Sequence, residues 1–205
     1  MGRRRGFDES VVLRAVRDRF WTTGYEGTST YDLMDATGLG KGSIYMAFGN
    51  KRDLYMRVFS DYCEDLVSQT REALEDGSTV PLPSPLARLG FYLVSLAEQF
   101  AAESPHRGCF LTKATADLAG LDKTVADRAR LAYDDIAAIL ASVVREAQDA
   151  GEVDRAADSH AMGYLLLTVI RGIDNLAKAD VDSAMLTRVA RSAIDMLPNP
   201  GLSEE

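Results

Sequence analysis

Lys41, Gly42, Ser43 and Tyr45 stand within five consecutive positions and carry groups suited to holding phosphate. The lysine supplies a cation, and glycine and serine are small enough to let backbone N–H groups at a helix start approach an anion. Tyr45 adds a hydroxyl that can reach a phosphate and a ring that can touch a thymine methyl. Such chemistry recognises duplex DNA; it makes and breaks no covalent bond. Residues for bond-making are sparse. His106 and His160 are the two histidines, and neither has metal-ligand or nucleophile–base spacing. His106 three positions before Cys109 is weak support for thiol catalysis. No catalytic residue, metal or cofactor is therefore expected. Cys63 and Cys109 are too few for a disulfide framework. They leave a thiol-based redox sensor as an alternative, provided that one of them is exposed with a low pKa.

The elements that must position these groups are legible in residues 28–50, TSTYDLMDATGLGKGSIYMAFGN. Thr28 and Ser29 offer oxygens to the free N–H groups of a helix start, and Asp32 places a negative charge in its first turn. Leu33, Met34 and Thr37 share a face of a helix of about two turns. Gly38 is suited to leave that helix through a left-handed conformation. Leu39 then plugs the turn, and a second helix over 41–48 directs Ile44 and Phe48 inward. Lys41, Ser43, Tyr45, Met46 and Ala47 remain on outer surfaces. This spacing fits a helix-turn-helix whose second helix enters a major groove, and equally an ordinary pair of short helices. The lysine-glycine-serine start favours the first reading.

The run GYEGTS followed by DLMDATGLGKGSIYMAFGNKRDLY resembles the DNA-binding region of TetR-family transcriptional regulators over about residues 7–60. The resemblance implies an all-α homodimer on a palindromic double-stranded DNA operator, usually a repressor released by a small-molecule effector. It implies DNA contacts by Ser29, Thr30 and Tyr31 at the first motif helix. On the recognition helix they are Lys41, Gly42, Ser43, Tyr45, Met46 and Ala47, with Lys51 just beyond. Thr30 departs from the family's usual Val or Ile, and Met46 and Ala47 from its frequent His or aromatic residues.

Bulk properties set the frame. The chain has 205 residues, 46% apolar and 26% charged, and a formal charge of −8. That composition is globular and long enough for one large or two modest cores. The charge is unevenly spread. Residues 1–60 hold ten Lys/Arg and seven Asp/Glu, or +3, and the other 145 hold 13 and 24, or −11. A small basic reader joined to an acidic body has that asymmetry. Arg3, Arg4 and Arg5 are either a basic arm for the DNA backbone or a solvated tail. No secretory signal or membrane-spanning run is evident, so a cytoplasmic location is expected.

The expected order is a helix-turn-helix domain over 1–50, a connecting helix over 51–76, and a ligand-binding and dimerisation domain over 77–205. A first helix over 10–23 should bury Val11 or Val12, Ala15, Phe20 and Trp21. Asn50 caps the connecting helix, Asp53 sits at its third position, and Leu54, Val58, Tyr62, Leu66 and Cys63 form its stripe. Residues 77–85, GSTVPLPSP, read as a linker. Helices over 85–103, 109–119, 122–150, 156–179 and 183–197 follow.

A small-molecule site needs an apolar lining with a few polar groups. Candidates are Phe91, Leu96, Phe100, Phe110, Lys113, Tyr133, Ile136, Leu167, Arg171 and Asp174. Arg171 and Asp174 are either an internal ion pair or an orienting pair for a ligand. Helices 156–179 and 183–197 carry small and apolar residues on several faces, which suggests a twofold four-helix interface between subunits. A helical protein-interaction module without DNA binding is the remaining alternative.

Overall fold

The computed structural model describes residues 7–75, 83–103 and 107–200. Arg3–Arg5, His106, most of the proline-rich linker and the last five residues lie outside them. Among the described residues are nine α-helices and no strand: α1 Glu9–Thr23, α2 Thr30–Thr37, α3 Lys41–Phe48, α4 Lys51–Leu74, α5 Pro85–Ala102, α6 Phe110–Leu118, α7 Lys123–Asp149, α8 Ser159–Lys178 and α9 Ser183–Asp195. The all-α class is as expected.

These helices form two compact units. The first comprises residues 1–64 and 110–129, so α6 and the start of α7 pack with the N-terminal helices. Its aromatic centre is Phe110, whose ring lies 5.9 Å from Trp21, 5.8 Å from Tyr55 and Phe59, and 5.6 Å from Tyr62. Phe20 packs edge-on against Tyr55 at 5.0 Å. Such rings bury large apolar areas and gain further from offset and edge-to-face geometry. Burial also pushes the Tyr55 phenol far above its ordinary pKa. The α6–α7 corner is fixed to α4 by Arg52, which donates to both Asp122 carboxylate oxygens at 2.8 and 3.0 Å and to Thr124 Oγ1 at 3.0 Å. That fork holds the Asp122 carboxyl down at about 2.

Helix α1 buries Val12, Val16 and Phe20, and leaves Val11 52% exposed. Of the expected stripe, Val12 and Phe20 are buried as expected, while Ala15 and Trp21 are half-buried and Val16 is buried instead, because Val12, Val16 and Phe20 are spaced four apart and share one face. Asp8 caps this helix by accepting from the Ser10 and Val11 amides. The connecting helix begins as the sequence indicates. Asn50 Oδ1 accepts from the Arg52 and Asp53 amides, and Asp53 accepts from Asn50 N–H at 3.1 Å.

The second unit comprises residues 65–109 and 130–205. Helix α5 packs most extensively on α9 and also on α8. Gly163 permits α8 to approach α7, since a Cβ there would lie 2.3 Å from the Ala137 carbonyl oxygen. The turn between α7 and α8 is held by Gln148, which donates to the carbonyls of Asp154 and Ala157. Ala156 and Ala157 fall in that turn, and α8 starts later than expected because Asp158 caps it. Arg88, buried on α5, pairs with Glu146.

Candidate nucleic-acid interface

Helix α2 is fixed at its start by a reciprocal cap. The Ser29 hydroxyl accepts from the Asp32 amide at 3.2 Å, and the Asp32 carboxylate accepts from Ser29 N–H at 2.8 Å. The Ser29 hydrogen bonds, with the Arg19 guanidinium beside them, hold the Asp32 carboxyl below its ordinary range. Because Arg19 is on α1, this pair also braces α2 against its neighbour. Before the cap, buried Thr28 donates to the Gly24 carbonyl at 2.7 Å and meets Thr23 Oγ1 at 2.6 Å.

Helix α2 ends at Gly38, at φ 67°, ψ 9°, with its N–H on the Met34 carbonyl. That is the left-handed exit which glycine adopts at least cost. Helix α3 follows after Leu39 and Gly40, and Gly49 at φ 81° ends it. Ile44 is fully buried, and no other residue of α3 is. Lys41, Gly42 and Ser43 are exposed, Met46 is 90% exposed, and Tyr45, Ala47 and Phe48 are half-buried. Phe48 turns toward Phe7, with ring centroids 6.2 Å apart.

All ten residues expected at DNA lie in the first unit. Ser29 and Tyr31, the latter 81% exposed, flank half-buried Thr30 at the start of α2. Thr30 Oγ1 lies 2.7 Å from Tyr45 Oη, a hydrogen bond between the two motif helices. The Lys41 ammonium stands 5.9 Å from the centre of the Tyr45 ring. Lys51 lies 4.4 Å over the ring of Tyr25, within cation–π range. Sequence reasoning did not include the Arg19–Asp32 brace or the Thr30–Tyr45 bond. Thr30 and Tyr45 are fifteen apart, and no local pattern couples them.

The ten effector candidates do not fall in one unit. Phe110 is buried in the first unit's aromatic cluster, and Lys113 pairs there with Asp117 at 3.0 Å. The other eight are in the second unit. Phe91 is 48% exposed, Leu96, Phe100, Tyr133 and Arg171 are half-buried, and Ile136, Leu167 and Asp174 are buried. Asp174 accepts from the Cys109 amide at 3.1 Å, which anchors the turn before α6. A groove of about 510 Å³ lies along α8 and α9, lined by Leu165, Val169, Met185, Val189, Ala193 and Met196 among others. A second, of about 290 Å³, lies between the end of α4 and α7. None of the ten candidates lines either groove. Both cysteines are buried and neither is in a disulfide. Among the described residues no cluster could hold a metal ion, and no helix is long and apolar enough to cross a membrane.

Residues 12–58 match the model of the bacterial regulatory proteins of the tetR family, and residues 85–193 match the tetracyclin repressor-like C-terminal domain. The chain belongs to the TetR family. It is therefore a DNA-binding transcriptional regulator and not an enzyme. The transcriptional repressor ComR of Escherichia coli K12 is 24% identical over 199 residues, 96% of this chain and 92% of that protein. The repressor DhaR of Mycobacterium sp. strain GP1 is 26% identical over 136 residues, 66% of this chain and 65% of that one. Among solved TetR-family structures, a cysteine mutant of CifR complexed with double-strand operator DNA superposes with a TM-score of 0.80 at 26% identity. It covers 96% of this chain and 100% of that one.

Proposed function

We propose that this regulator is a repressor that binds a palindromic operator as a homodimer, each subunit laying α3 in a major groove. The observation that carries this reading is the inside-out character of α3: Ile44 anchors it, and Lys41, Gly42, Ser43 and Met46 face outward. Ser29, Thr30 and Tyr31 would add contacts from the start of α2, and Tyr45, Ala47 and Lys51 would complete the surface. CifR, whose fold this chain shares, is complexed with operator DNA in its structure, and ComR is a repressor; both support the reading.

Residues 1–50 would read DNA, 51–76 connect, and 77–205 bind a small-molecule effector and a second copy of the chain, in the cytoplasm. The groove on α8 and α9 supports the second copy, because such apolar surface is costly to leave in water. On α8, Gly163, Leu166 and Ile173 are buried within the unit, so Leu165, Val169, Met185, Val189 and Met196 would carry the contact. An effector would act through α4 and α7, each of which contributes to both units. The buried state of Cys63 and Cys109 weighs against the redox-sensing alternative.

The test selects duplexes from a randomised pool with the full-length protein and measures affinity against salt. Log affinity should fall linearly with log salt, the recovered site should be palindromic, and light scattering should give a dimer. A monomer that binds every duplex alike would reject the proposal.

A further inference from the structure

Thr30 occupies the first turn of α2 and Tyr45 the middle of α3, and their hydroxyls meet at 2.7 Å. Either oxygen could donate in the free protein. DNA removes that freedom. Phosphate oxygens only accept, so of two paired hydroxyls one must give its proton to its neighbour and the other to the phosphate. A phenolic hydroxyl is a stronger hydrogen-bond donor than an aliphatic one, and the bond to an anionic oxygen is the stronger of the two. The favoured order is then Thr30 donating to Tyr45, and Tyr45 donating to the phosphate. The Lys41 ammonium, 5.9 Å from the ring centre, favours an anion on this side.

We propose that Thr30 is a positioning residue that holds the Tyr45 hydroxyl as a committed donor to the DNA backbone, the two forming a relay across the motif. The relay rests on the DNA-binding reading above, and it concerns a position where this sequence departs from the family's usual Val or Ile. Two consequences follow. Hydrogen bonds in series polarise one another, so losing either hydroxyl should forfeit most of what the pair contributes. Both hydroxyls are neutral and the contact is to backbone, so the relay should affect all sequences alike and leave the salt slope unchanged.

The experiment is a double-mutant cycle on the full-length protein, T30V, Y45F and both together, with T30S as the conservative variant. Affinity is measured against a duplex recovered from a randomised pool by the wild-type protein, and against a random-sequence duplex. T30V and Y45F should each weaken binding to both duplexes about fivefold, the loss expected of one neutral hydrogen bond, with the salt slope intact. The double variant should bind no worse than either single one, and T30S should stay within about twofold of wild type. Affinity of T30V within about twofold of wild type would overturn the relay, as would losses that multiply in the double variant. A T30S protein as weak as T30V would also overturn it. If the wild-type protein shows no salt-dependent affinity for any duplex, the DNA-binding reading falls first and the relay with it.

Discussion

Helices α3 and α6 have nearly the same length, eight and nine residues, and belong to the same compact unit, yet they are opposites. KGSIYMAF contains Ile, Tyr, Met, Ala and Phe, and it buries Ile44 alone. FLTKATADL carries more polar side chains, and it buries Phe110, Leu111, Ala114 and Leu118. Composition would have ranked them the other way. The difference is in what surrounds each helix. Phe110 meets four rings from α1 and α4, whereas α3 is held by Ile44 beneath, Phe48 at its end and one hydroxyl contact to α2. An apolar helix left largely uncovered on a folded unit invites a functional explanation; a covered one needs none.

That contrast can be broken from either side. The largest effect is expected at the buried helix. Phe110→Ala removes the hub of the ring cluster, and denaturant unfolding should show a loss of about 3–5 kcal/mol. A loss below about 1 kcal/mol would mean that α6 is dispensable to its unit. At the uncovered helix the pattern should invert. Tyr45→Ala should cost only about 1 kcal/mol of stability, the loss of its bond to Thr30, but weaken binding to the selected duplex by about 1–3 kcal/mol. It should weaken random duplex less, because the ring as well as the hydroxyl is removed. Equal losses on the two duplexes would deny the ring any part in reading sequence.

Two smaller effects sharpen the comparison. Ser29→Ala deletes the cap of α2 and should cost about 1 kcal/mol of stability. Thermal melts would register it, and an unchanged midpoint would mean that Asp32 holds the helix start alone. The fork from Arg52 fixes the α6–α7 corner, and its pH dependence has a definite sign. Asp122 titrates below its ordinary value, so its contribution to stability is complete above about pH 4 and is lost as pH falls toward 2. Asp122→Asn should remove that part of the acid dependence. Acid unfolding curves that superimpose on wild type would show that the pair does not couple to folding.

How much of this was legible in residue order differs from place to place. The cap at Asn50 with Asp53, the exit at Gly38 and the anchor Ile44 were all readable, because each depends on residues within four positions of one another. The buried stripe of α1 was readable in part: Phe20 was legible, the choice between Val11 and Val12 was open and fell to Val12, and Val16 rather than Ala15 faces the core. Periodicity shows that a face exists, and only the packed neighbours choose which one. On α8, small and apolar residues that looked alike separate into Gly163, Leu166 and Ile173, packed within the unit, and Leu165 and Val169, lining an open groove.

By itself the sequence determined the helices, the caps at Ser29 and Asn50 and the turn that presents α3, since hydrogen-bond caps, positive-φ glycines and 3.6-residue periodicity act over a few residues. Tertiary structure decided that α6 joins the N-terminal unit, that Phe110 sits among four rings, and that Thr30 meets Tyr45. Those contacts join residues 15 to almost 90 positions apart. Their energies depend on the shape of the space between elements, which no local spacing encodes.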